Sequence, residues 1–291
     1  MQRTMPTLKT SDQIQRVGRM NREEFAAHQD TNQPIIFTDV SPHWPAMKKW
    51  SLDYLKEVAP DSPVTVHYDE NGDFTRWYLM TPEERDDRVI PFGEFIDILR
   101  TDEGRNYYMT EHSLKSVSEE LARDVDLSGL VDLQPPWEPM IFIGRDTCMP
   151  MHYHGSTEAA LCQLIGSKKI TLAAPSQSGH LYARPWYEQS PLFSRVDGRS
   201  IQSGAPDFER WPRLERAQLL QFTLHPGEVL HIPVHWWHLT SVPDISVSMT
   251  SFWDSKFSRW TFPNPGFQML AREALWRVKA GFKKVGGRTG Y

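Results

Sequence analysis

The sequence of 291 residues contains only two cysteines, Cys148 and Cys162. Two thiols cannot build a disulfide framework, so a reducing, cytoplasmic setting is expected. No run of eighteen apolar residues occurs anywhere, which excludes a membrane-spanning helix on length. The opening stretch, MQRTMPTLKTSDQIQRVGR, also lacks the apolar centre of a secretory leader. A positive surplus is missing as well: 32 Lys and Arg stand against 37 Asp and Glu, a net charge of -5. That balance gives no global attraction for nucleic acid, and none is expected as a partner. No solenoid-period repeat and no low-complexity segment is present.

Aromatic residues and proline are plentiful instead, with eleven Trp and twenty-two Pro. Such a chain favours short strands joined by proline-punctuated loops over a long helical bundle. The first half reads as mixed, with strands over 34–38, 64–68 and 106–109 and helices over 22–27, 51–58 and 91–99. From Trp137 onward the spacing becomes that of a jelly roll, with strands over 140–144, 159–164, 169–173, 219–223, 229–232 and 245–252. Residues 182–215, rich in Pro, Arg, Ser and Trp, read as a lip beside a pocket mouth, with Arg184, Trp186 and Trp211 expected near it. The expected organisation is an N-terminal extension (1–30), a mainly β domain with N-terminal α/β elements (31–254) and a C-terminal helical extension (255–291). In that extension Phe267, Leu270, Ala271, Ala274, Leu275, Val278 and Phe282 fall on one helical stripe, with a basic surplus elsewhere. The stripe suits packing on its own domain, a homodimer contact, or attachment to a membrane surface or acidic partner.

Chemistry is concentrated in two segments. In Pro150-Met-His-Tyr-His154, alternate residues of an extended chain point the same way, so His152 and His154 can meet one metal ion. His238, at the end of Pro226-Gly-Glu-Val-Leu-His-Ile-Pro-Val-His-Trp-Trp-His238, is a candidate third ligand. Three protein ligands leave open positions on a metal, as catalytic sites require. The other histidines in strands and loops, among them His67, His112, His180 and His225, read as structural polar groups.

Order and spacing of these segments, with Cys162-Gln-Leu-Ile-Gly-Ser-Lys168 and Ser248-Met-Thr-Ser-Phe-Trp253, resemble the JmjC-type cupin hydroxylases. Upstream, Pro34-Ile-Ile-Phe-Thr-Asp39, Trp44-Pro-Ala and Tyr107-Tyr-Met-Thr-Glu-His112 extend the similarity, which covers roughly residues 30–254. The resemblance implies a double-stranded β-helix, Fe(II), 2-oxoglutarate and hydroxylation of an unactivated C–H bond in a peptide, protein or small molecule. It implies His152, His154 and His238 as the metal set, with no catalytic residue beyond them. Lys168, Tyr108 and Ser251 are implied as cosubstrate contacts. One departure stands out: His154 occupies a position where the family has Asp, and a neutral imidazole there leaves the site one unit more positive. Met149 likewise replaces a Ser or Thr. Three readings follow: an active 2-oxoglutarate oxygenase, an inactive metal-binding interaction domain, or a three-histidine cupin dioxygenase that needs no 2-oxoglutarate.

Overall fold

A computed structural model describes residues 7–131, 137–188, 190–272 and 274–275. The strands are β1 (Lys9–Ser11), β2 (Arg16–Val17), β3 (Ile35–Phe37), β4 (Pro63–Tyr68), β5 (Asp86–Pro91), β6 (Tyr107–Ser113), β7 (Met140–Gly144), β8 (Thr157–Ile165), β9 (Lys168–Ala173), β10 (Gln218–Leu224), β11 (Val229–Ile232), β12 (Trp237–Ser241) and β13 (Ser246–Asp254). One sheet runs β2-β3-β11-β8-β13-β7-β6-β4-β5 and the other β1-β10-β9-β12. Neighbours are antiparallel apart from β1 with β10 and β2 with β3. The two sheets face each other across Leu161, Ile170, Leu172, Phe222, Leu230 and Ile232. This is the jelly roll expected from the strand spacing.

The central strands of the large sheet are buried on both faces. Along β8, Ala159 and Leu161 turn toward the small sheet, whereas Ala160, Cys162 and Leu164 turn outward into a second core. That outer core is roofed by α1 (Arg22–Asp30), α2 (Pro45–Lys49), α3 (Leu52–Val58) and α4 (Phe92–Leu99). Ser51 caps α3 by accepting from Tyr54 N, and α4 buries Phe92, Phe95, Ile96 and Leu99, the face its apolar spacing dictates. Asn21 and Glu24 form a capping box on α1.

A buried polar clasp fixes α1 to the barrel. Glu158 on β8 is 1% exposed and accepts from His231 Nε2 (2.8 Å), Gln29 Nε2 (2.7 Å) and Ser255 Oγ (2.9 Å). Arg259 joins Glu158 to Asp30, the last residue of α1. Although burial opposes ionisation, the bonds from His231, Gln29 and Ser255 hold the Glu158 carboxyl down at about 2.

Two features differ from the sequence expectation. His238 lies within a strand, β12, that was not among the expected strands. It starts two residues after His235, whose backbone is left-handed (φ 67°). The C-terminal helix begins as expected, with 266–272 helical, but Phe267 and Leu270 of its apolar stripe point to solvent rather than onto the domain. Positions 276–285 of that predicted helix lie outside the described residues.

Candidate metal centre and pocket

His152 and His238 face each other across an antiparallel bridge. The His152 amide donates to the His238 carbonyl (3.0 Å) and the His238 amide to that of His152 (2.7 Å), which sets the ring centroids 4.0 Å apart. Each ring is then oriented by a bond from its own Nδ1–H: His152 to the Pro150 carbonyl (2.9 Å) and His238 to that of Trp236 (3.0 Å). With Nδ1 committed as donor, Nε2 carries the free lone pair on both rings. The ring of His154 lies 4.5 Å from that of His238, and ring nitrogens of all three residues fall within 4.8 Å of one another.

The three imidazoles are neutral as metal binding requires. Burial lowers His152 to about 4, burial and the neighbouring His152 lower His154 to about 3, and burial with both neighbours pushes His238 well below its ordinary value. His154 differs in one respect: its buried Nδ1 has no hydrogen-bond partner among the described residues. Nδ1 of histidine and Oδ of aspartate both lie two bonds from Cβ. A side-chain atom with the reach of an aspartate oxygen is thus left for an ion. Glu158 cannot complete this set, because its oxygens are taken up by the clasp on the other face of the sheet.

The histidines line a pocket of about 400 Å³ inside the jelly roll, together with Tyr108, Lys168, Thr240 and Thr250. Lys168 starts β9 and is 4% exposed, whereas its neighbour Lys169 is exposed. Its Nζ donates to Ser248 Oγ at 2.5 Å, and burial lowers its pKa to about 7. A lysine held in an apolar pocket with a neutral hydroxyl partner is a strong attractor for a carboxylate. Tyr108 is also buried, beside Phe74 and Met149, and its hydroxyl pKa is raised by burial.

Ser251 does not join this group. On β13 the pocket side carries Ser248, Thr250 and Phe252, whereas Met249 and Trp253 face the outer core. Ser251 shares the outward parity of Met249 and Trp253 and is fully buried, away from Lys168, its hydroxyl without a hydrogen-bond partner among the described residues. Val247, Met249 and Trp253 hold the outer face along the whole strand, because the register shift between Val247 and Ser248 places its extra residue, Leu164, on β8. Ser248 and Thr250 are the hydroxyls this strand presents to the pocket.

At the pocket mouth the structure adds a residue that the sequence reading passed over. Glu111 sits at an irregularity in the pairing of β6 with β7, in the left-handed region (φ 57°), and faces the pocket. Burial raises its carboxyl above the usual range, against the stabilising Tyr78 hydroxyl 3.4 Å away. The Tyr78 ring stacks on Phe193, which stacks in turn on His152. From the 182–215 lip, Leu192 and Phe193 line the pocket. Arg184, Trp186 and Trp211 do not: the lip doubles back through an Ala183–Ser194 bridge, Arg184 pairs with Glu188, and Trp211 packs on Tyr182. His67 and His112 are structural as expected, bonded to Asp87 and Thr110 and to Thr65 respectively.

Residues 21–259 match the family described as the cupin-like domain. Among named relatives, Lysine-specific demethylase 8 of Xenopus tropicalis is 29% identical over 258 residues, 86% of this chain and 54% of that protein. Jumonji C domain-containing protein 5 of Drosophila melanogaster is 29% identical over 238 residues, 77% of this chain and 55% of that protein. The human Bifunctional peptidase and (3S)-lysyl hydroxylase JMJD7 is 24% identical over 256 residues, 78% of each chain. The chain thus spans about half the length of the first two. No helix among the described residues is long and apolar enough to cross a membrane. With the jelly roll, the histidine cluster and a match across most of its length, this chain belongs to the JmjC-type cupin-like domain family.

Proposed function

We propose that the chain is a cytoplasmic Fe(II)- and 2-oxoglutarate-dependent oxygenase that hydroxylates a side chain of a peptide or protein. One observation carries this reading: three neutral imidazoles and a buried, carboxylate-seeking Lys168 face the same pocket. Iron with 2-oxoglutarate and O2 supplies conversion of C–H to C–OH, with succinate and CO2 released. His152 and His238, fixed by backbone carbonyls, and His154 would hold the metal. Lys168, beside Ser248, would take the far carboxylate, with Tyr108 lining the same cavity. Succinate release dependent on iron and 2-oxoglutarate tests the reading, and its absence under saturating iron overturns it.

His154 favours a second reading, a three-histidine dioxygenase independent of 2-oxoglutarate, and His154→Asp separates the two. Under the first reading the variant is expected to retain iron and to release succinate at least as fast as the parent, since aspartate reaches the same point and restores a carboxylate. Loss of iron together with all turnover supports the second.

The mouth favours a cationic target side chain. Glu111 presents a carboxylate among Tyr78, Trp137 and Phe193, and aromatic faces suit the aliphatic stem of a lysine or arginine. Two relatives carry lysine in their names, which agrees with this chemistry. Glu111→Gln is expected to raise KM for a lysine- or arginine-bearing peptide about tenfold and to leave 2-oxoglutarate affinity alone. Equal preference for cationic over neutral peptides in parent and variant overturns this role.

A further inference from the structure

The C-terminal segment exposes an apolar face that nothing among the described residues covers. Phe257 and Phe267 are each 59% exposed, Phe262 41% and Leu270 40%. The three phenylalanines touch in sequence, with ring centroids 5.7 Å apart for Phe257 and Phe262 and 5.3 Å for Phe262 and Phe267. The face is continuous rather than a set of scattered side chains. It is also held firmly on the domain from behind. Tyr153 Oη donates to Gln268 Oε1 (3.5 Å), and Met269 fills the space above Gly155, where a Cβ would run into its thioether. Met269 and Gln268 face inward, so Phe267 and Leu270 face out.

Charge identifies what the face meets. Residues 255–291 contain eight Lys and Arg against one acid, Glu273, a net of +7, whereas the rest of the chain carries -12. Arg259 is consumed by the clasp, but Lys256 and Arg272 beside the exposed rings are free to solvent. An ordinary solvated or dimer-forming surface mixes both signs, and two such segments brought together across a symmetry axis would repel. A segment whose sequence charge is of one, basic sign and which exposes phenylalanine and leucine matches an anionic lipid surface, where rings enter the headgroup boundary and cations meet acidic headgroups.

We propose that this face docks on an anionic bilayer, with Phe257, Phe262, Phe267 and Leu270 inserted at its surface. The test is co-sedimentation of the full chain with vesicles of phosphatidylcholine alone and of phosphatidylcholine mixed with phosphatidylserine, at low and high salt. The expected result is at least roughly tenfold stronger partition to the acidic vesicles, lost at high salt. A Phe262→Ser, Phe267→Ser double variant should abolish it with the thermal transition unchanged, because both side chains are already exposed. No partition, or equal partition to neutral and acidic vesicles, overturns the proposal. So does a concentration-dependent dimer that ignores vesicles and dissociates in the double variant, which would give the face to a second copy of the chain.

Discussion

Alanine at His152 or at His238 is expected to lower iron affinity by an order of magnitude or more, because two remaining ligands hold a divalent ion poorly. The backbone bonds between these residues do not involve their side chains, so the bridge that positions the segment survives either change. Iron stoichiometry after equilibrium dialysis, beside an unchanged melting transition, reads the effect. Unchanged stoichiometry in both variants would sink the ligand assignment. His235 is a useful comparison, since its ring bonds the Gly155 carbonyl and the Thr261 amide rather than facing the cluster. Replacing His235 should loosen the fold before it alters metal content.

Lysine 168 to alanine is expected to weaken 2-oxoglutarate roughly ten- to a hundredfold, the cost of removing one charge-assisted partner from a shielded site, with iron content untouched. The same group makes a second, independent readout. Burial lowers its pKa to about 7, so above neutrality the amine is mostly neutral. A bound carboxylate favours the ammonium form and raises that pKa again. Binding of 2-oxoglutarate at a pH above 7 should therefore take up close to one proton, and binding well below 7 should take up almost none. Calorimetry in two buffers of different ionisation heat measures this uptake. A proton balance that stays the same in Lys168→Ala would refute the pairing.

Much of this architecture is legible in the residues themselves. Apolar runs and turn residues mark the strands from Met140 to Phe252, β12 excepted, to within two residues at each end. Ser51 and the Phe92, Phe95, Ile96, Leu99 spacing mark two helices. What stays hidden depends on partners distant in sequence or on backbone states that composition does not encode. Strand β5, Asp-Asp-Arg-Val-Ile-Pro, is too charged to read as a strand and is held by pairing along β4. Ser251 and Ser248 differ only by parity, and because β13 is buried on both faces the alternation alone does not say which side is the pocket. Glu111 likewise owes its aim to a left-handed residue that is not glycine, whereas sequence rules flag glycine alone.

The Glu158 clasp carries a consequence for synthesis of the chain. Gln29 and Glu158 are 129 positions apart, and Arg259 and Asp30 are 229 apart. While the polypeptide emerges from a ribosome, helix α1 and the central strand can meet, but one carboxylate oxygen lacks Ser255 and Arg259 until nearly all of the domain has been made. A buried carboxylate with half its donors missing is costly, so the nascent barrel should close late and in one step. Release of a chain cut just before Ser255 should then yield a protease-sensitive product, even though every pocket residue from Tyr108 to Phe252 is present in it.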